Sequence, residues 1–161
     1  MRSVWLVAIG VFVGIGAYAW ADSPPETVSY SGHVDTADTY EIAAGKALVR
    51  MIHTGGSYIG VIEGRPGLSV PEHRHAGSNE LLYVLEGTGW MTVDGRRTAV
   101  RAGMGIQIPA DTPHSFEVPA DAQHNFKAVQ VYSVAGPEAR FRNGRALAPG
   151  QPWSPSGFGT R

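Results

Sequence analysis

Hydrophobic and polar positions alternate in short stretches with a period of two, and Gly, Pro or Asp-Gly interrupts them at regular intervals. Residues 47–53 and 58–62 flank Gly55-Gly56 and predict a hairpin. Residues 80–86, Glu-Leu-Leu-Tyr-Val-Leu-Glu, form a near-continuous apolar run ended by Gly87, which predicts a strand covered on both faces. Residues 90–93 and 98–100 flank Asp94-Gly95, a strong hairpin signal. Met104, Ile106 and Ile108 alternate with Gly105 and Gln107 until Pro109 stops the strand. His114, Phe116 and Val118 fall on one face of the next strand, and residues 128–134 make the last clear one. No stretch sustains a helical period. Short strands at this spacing predict an all-β sandwich or barrel, and the absence of an internal repeat predicts one per chain.

Both ends depart from this pattern. Arg2 precedes an uncharged, mostly apolar run over residues 4–18. Ala19-Trp20-Ala21 then places small residues where a signal peptidase reads, before the helix-breaking Asp22-Ser23-Pro24-Pro25. This secretory pattern predicts a signal peptide over residues 1–21, cleaved after Ala21. The alternative is an uncleaved anchor, for which the run is short against the roughly 20 residues of a membrane span. Arg2 is the only Lys or Arg before Lys46, so either reading puts the folded domain outside the cytoplasm, periplasmic or secreted. A membrane is then a partner only through an uncleaved N-terminal segment. Met1-Arg2-Ser3 holds no twin arginine, which predicts export of an unfolded chain and metal uptake afterwards. Residues 22–38 read as a polar lead-in that adds an edge strand, residues 39–141 as the β domain, and residues 142–161 as a Gly- and Pro-rich flexible tail.

Composition narrows the function classes. The 161 residues suit one domain with its own core, and 21 glycines and 11 prolines suit short strands joined by turns. The net charge is -1 with no basic stripe, which excludes a nucleic-acid binder working through phosphate contacts. Cysteine is absent, so there is no disulfide and no lipid anchor of the N-terminal cysteine type. Stability must come from the core, a metal or oligomer contacts.

The chemistry concentrates in four residues. His73 and His75 stand two apart, so on a strand both imidazoles point to one face. Residues 76–79 turn the chain before Glu80 opens the next strand, which returns its carboxylate beside the two rings. His114 follows the Pro109–Pro113 turn on the face of Phe116 and Val118. Three neutral imidazoles and one carboxylate can hold a divalent metal with one or two coordination positions open. His33, His53 and His124 read as surface or satisfied core residues. Trp90, Tyr83 and Phe116 read as core and pocket wall, and Arg96-Arg97 as a solvated turn. Residues 136–141 read as a structural clasp. Tyr58, Arg50, Gln107 and Tyr132 reach the pocket only if their faces point inward.

These residues resemble the motifs of the cupin superfamily, over residues 67–118 and more loosely over most of the mature chain. Gly67, His73, His75, Glu80 and Gly87 match its first motif without a gap. Gly103, Pro109 and His114 match the second, in which Asp111 replaces the turn glycine and Val118 replaces an asparagine. Aspartate tolerates the left-handed backbone better than most residues, so the turn survives. The resemblance implies a jelly-roll (double-stranded β-helix) barrel, His73, His75, Glu80 and His114 as metal ligands, and often a homodimer. The segment over residues 88–102 resembles compact microbial single-domain cupins.

Two function classes stay open at this point. An open metal position in an apolar barrel favours an enzyme acting on a small organic molecule, and cupins of this kind include dioxygenases, isomerases, decarboxylases and sugar-acid enzymes. The other is a non-catalytic metal- or small-ligand-binding protein, since no second catalytic residue stands out. The site accepts Zn, Cu, Mn or Fe, and a chain that folds outside the cytoplasm meets Zn and Cu directly.

Overall fold

A computed structural model describes residues 32–153; the expected signal peptide, most of the lead-in and residues 154–161 lie outside the described residues. Eleven strands follow one another with three short 3₁₀ segments among them: β1 Asp38–Ile42, β2 Ala47–Thr54, β3 Tyr58–Gly64, β4 Ser69–His73, β5 Asn79–Glu86, β6 Thr88–Val93, β7 Arg96–Arg101, β8 Gly105–Ile108, β9 His114–Glu117, β10 Phe126–Ser133 and β11 Arg145–Leu147. All pairings are antiparallel. One sheet has the order β11-β1-β2-β3-β10-β5-β8 and the other β4-β9-β6-β7. The expected hairpins form, β2 with β3 and β6 with β7. Asp94 and Gly95 both take positive φ, 48° and 73°, as a two-residue hairpin turn of this twist requires.

The core lies between the sheets, where Leu82, Val84, Met91, Val100, Ile108, Val118, Phe126 and Ala128 pack together. A second cluster gathers Val49, Met51, Tyr58, Tyr132 and Phe141. Phe141 belongs to the 3₁₀ segment Pro137–Asn143, so the expected clasp is pinned by an aromatic ring.

Three expectations are corrected. Among the described residues the fold is an open sandwich and not a closed barrel: β11 and β8 edge the large sheet, β4 and β7 the small one, and the sheets share no ladder. The physical reason lies in the edges. β4 is five residues long, Pro71 within it has no N–H to donate, and its register against β9 shifts between Val70 and His73. β8 is only four residues. Neither offers a ladder long enough to join the sheets.

The second correction concerns β5. Glu80, Leu82 and Val84 point inward and are buried, but Leu81, Tyr83 and Leu85 are 41%, 52% and 39% exposed. The run is continuous because both faces are apolar, not because both are covered. Val131 and Val129 on β10 stand opposite Leu81 and Tyr83 and extend the same outward face.

The third concerns the tail. β11 pairs with β1, which makes β1 an interior strand and not an edge. Farther on, Trp153 Nε1 donates to Glu41 Oε2 at 2.9 Å and its ring lies under the Arg65 guanidinium at 3.8 Å. Arg145 donates to the other oxygen of Glu41 at 3.0 Å. Up to Trp153, the expected tail is part of the fold.

Candidate metal centre

β4 ends on His73, and the turn after it carries His75, so alternation and the following bend put both rings inward. β5 brings Glu80 back beside them, and β9 opens on His114, which stands opposite His73 in register. The turn before His114 holds Asp111 at φ 61°, and its N–H donates to the His75 carbonyl at 2.9 Å. The aspartate thus does the work of the motif glycine and ties the two halves of the site together. Val118, at the motif's asparagine position, is buried in the core and leaves the histidines untouched.

The nitrogens of His73, His75 and His114 come within 4.8 Å of one another, close enough to share one metal ion. Glu80 Oε2 lies 3.0 Å from His75 Nε2 and 3.2 Å from His114 Nε2. His75, Glu80 and His114 are buried, while His73 is partly open to the cavity. Among the described residues, His33, His53 and His124 are not part of this group.

Hydrogen bonds fix the ring chemistry. His73 Nδ1 donates to the Pro71 carbonyl and His114 Nδ1 to the Thr112 carbonyl, both at 2.9 Å. A carbonyl only accepts, so in the neutral rings each proton sits on Nδ1 and each Nε2 carries a bare lone pair. His114 Nε2 is buried and has no hydrogen-bond partner, although it faces the Glu80 carboxylate. Two electron-rich atoms at that separation repel unless a cation lies between or beside them. A metal ion or a proton meets that need. The donor set therefore fits a divalent metal.

A cavity of about 170 Å³ opens onto this group. Its walls are mostly apolar, among them Leu68, Leu82, Met91, Phe116 and Phe126, with His73, Glu80, His114, Gln130 and Arg140 as the principal polar members.

Residues 60–129 match the family described as "Cupin domain". These residues form a cupin-superfamily domain. A cupin from Shewanella frigidimarina superposes with a TM-score of 0.60 at 18% identity, over 68% of this chain and 95% of that one. Among sequence relatives, the dimethylsulfoniopropionate lyase DddW of Ruegeria pomeroyi is 35% identical over 91 residues, covering 56% of this chain and 48% of that protein. Polyketide synthase CurC of Streptomyces cyaneus is 39% identical over 59 residues, covering 37% of this chain and 38% of that protein. The chain spans between about a third and a half of the length of these curated relatives.

The other residues proposed from sequence divide in this cupin. Tyr132 is fully buried behind His75, with ring centroids 5.0 Å apart, and Tyr58 stacks on it at 5.3 Å. Neither ring lines the cavity. Arg50 forms an ion pair with Glu63 and Gln107 is exposed, so neither joins the site. Sequence reasoning misses two cavity residues. Gln130 donates to Glu80 Oε1 at 2.7 Å and leaves Oε2 to the histidines. Its signal is a polar residue in the buried stripe Phe126, Ala128, Gln130, Tyr132 of β10. Arg140, in the clasp, donates to His75 Nδ1 at 3.3 Å and to the Tyr132 hydroxyl at 3.0 Å.

Burial pushes the Glu80 carboxyl up, but the adjacent imidazoles of His114 and His75 and the Gln130 amide outweigh it and hold its pKa down to about 2. Burial pulls His114 down, and Glu80 alongside it together with the Thr112 carbonyl pushes it further up, above the ordinary histidine value. His73 is lowered, chiefly by burial. In the metal-free protein the Glu80 contribution is complete above its ordinary value of 4.5 and fades as pH falls towards 2. The His114 contribution is complete below 6.5 and is lost as pH rises through its raised value. The metal-free pair is therefore strongest between these two ordinary values. A metal must displace the His114 proton, so its effect runs the opposite way. The rise in melting temperature on adding one equivalent of Zn(II) should be largest near pH 8 and vanish below about pH 5 to 6. A rise that stays constant from pH 8 to pH 4 would count against histidine ligation.

Proposed function

We propose that this cupin binds one divalent transition-metal ion through His73, His75, Glu80 and His114 and turns over a small organic molecule outside the cytoplasm. The reaction is of the dioxygenase, isomerase or lyase type. The observation that carries this reading is the convergence of the His73, His75 and His114 nitrogens within 4.8 Å of one another, beside the Glu80 carboxylate and on the wall of a mostly apolar cavity. When bound, the metal supplies a Lewis acid with an open position. The chain's own residues do the rest. The Pro71 and Thr112 carbonyls hold the His73 and His114 rings with Nε2 presented, and Gln130 holds the Glu80 carboxylate in place. The apolar walls exclude water, which strengthens every charge interaction inside. The cavity volume, below the roughly 300–1,000 Å³ of drug-sized pockets, suits a small molecule. Likeness to a protein named as a lyase supports this class of chemistry. Zn or Cu is the metal that a chain folding after export would meet first.

One observation favours a non-catalytic binder as a second reading. Among the described residues lining the cavity, Arg140 is the only titratable group besides the proposed ligands His73, Glu80 and His114, and a guanidinium stays protonated and cannot act as a base. A cavity with a metal and no ready base captures a ligand without changing it. The deciding experiment loads the protein with Zn, Cu, Mn or Fe. It then screens oxygen uptake and the turnover of small hydroxy acids, diketones, sugar acids and dimethylsulfoniopropionate. Turnover that disappears in His114→Ala supports the enzyme. Saturable binding of a compound without turnover supports the binder, and failure to retain any of the four metals would overturn both.

A further inference from the structure

We propose that Arg140 is the carboxylate-recognition residue of the cavity, so that the ligand is a short organic acid held by this guanidinium while a second group faces the metal position. This rests on the metal-site reading above. Among the described residues Arg140 is the only Lys or Arg lining the cavity, whose walls are otherwise mostly apolar. Its side chain is placed by three acceptors: the Tyr132 hydroxyl at 3.0 Å, the Pro137 carbonyl at 3.2 Å and His75 Nδ1 at 3.3 Å. The Phe141 ring flanks it at 4.9 Å. All three acceptors are neutral groups. Among the described residues no carboxylate forms an ion pair with it. Glu138, the acid on its own segment, accepts from the Gly136 N–H at 2.6 Å instead. A positioned guanidinium without a counter-anion, beside a small cavity, is a receptor for an anion with two parallel oxygens.

The bond to His75 sharpens the inference. A guanidinium only donates, so His75 Nδ1 accepts and, in the neutral ring, its proton sits on Nε2, towards Glu80 Oε2. His73 and His114 carry theirs on Nδ1. Arg140 is exposed on its outer side, where water meets its other donors, so its pull on a cavity ligand comes from its charge and its fixed orientation. The metal and Arg140 together carry three positive charges against the single Glu80 carboxylate, so the acceptor that fits is an anion.

Isothermal titration on the full chain loaded with one equivalent of Zn(II) tests this, with glycolate and its uncharged amide, glycolamide, as probes. Wild type is expected to bind glycolate at least about tenfold tighter than glycolamide, the size of a charge-assisted hydrogen-bond pair. Arg140→Gln should abolish that preference, and Arg140→Lys, which keeps the charge but not the fork, should retain part of it. Zn(II) affinity, measured separately by chelator competition, should be unchanged in Arg140→Gln, since Arg140 is not among the proposed ligands. Thermal unfolding confirms that each variant is folded. If wild type fails to hold Zn(II), the metal reading falls and this inference with it. If Zn(II) is held but glycolate has no advantage in wild type, or keeps its full advantage in Arg140→Gln, the role of Arg140 is overturned and the metal reading stands.

Discussion

His114→Ala should abolish stoichiometric divalent-metal binding, with affinity falling more than about a hundredfold. That is the upper end of what is lost when only a group supporting a ligand is removed. His114 is buried, its Nδ1 proton is committed to the Thr112 carbonyl, and its Nε2 has no other use among the described residues. No other imidazole stands ready to replace it, since the group contains only His73 and His75 besides. The same loss is expected for His75→Ala and Glu80→Ala. His33→Ala and His124→Ala serve as controls: His33 has 70% of its side chain exposed and His124 lies on the surface, so both variants should keep wild-type metal content. Elemental analysis after dialysis, with competition against a chromophoric chelator, measures this. Undiminished metal in His114→Ala, or equal loss in the controls, would contradict the assignment.

The second large effect is on stability. Gly87 ends β5 at φ 76°, in the left-handed region. A Cβ there would collide with the Asn125 carbonyl oxygen and lie 2.9 Å from the Phe126 Cα. Both obstacles are backbone atoms at the start of β10, so they cannot rotate away. Gly87→Ala combines about 1–2 kcal/mol of left-handed strain with about 1–3 kcal/mol of overpacking. A total near 3 kcal/mol should lower the melting temperature by roughly 10 °C. Gly77 separates the two terms. Its φ is 65°, yet nothing lies within 4 Å of a Cβ built there. Gly77→Ala should therefore cost only the strain, about 1–2 kcal/mol. Equal losses in the two variants would mean that the contact with Asn125 and Phe126 does not govern the first.

Much of the His73, His75, His114 and Glu80 cluster is legible in the sequence because its information is local. The two-residue spacing of His73 and His75 and the short turn to Glu80 are properties of adjacent residues. Asp94-Gly95 likewise carries its own turn geometry. The parts that are not legible depend on contacts distant in sequence. Gln130 reaches Glu80 across 50 positions and Arg140 reaches His75 across 65, and nothing near either residue announces the partner. Trp153 anchors to Glu41 across 112 positions, within a segment whose Gly and Pro content resembles a loose tail. The expectation for β5 fails for a different reason. Alternation reports burial only when the outer face is polar, and Leu81, Tyr83 and Leu85 are apolar and exposed. Sheet closure is implied by the family resemblance alone, whereas the short, interrupted β4 leaves this sandwich open.

X-ray absorption spectroscopy on protein loaded with one equivalent of Zn(II) and then dialysed addresses the convergence of three imidazoles directly. The expected spectrum shows one retained zinc per chain with multiple scattering from three imidazoles, and oxygen filling the remaining positions. Zinc lost on dialysis, or a shell with fewer than two imidazoles, would mean that His73, His75 and His114 meet without forming a metal centre.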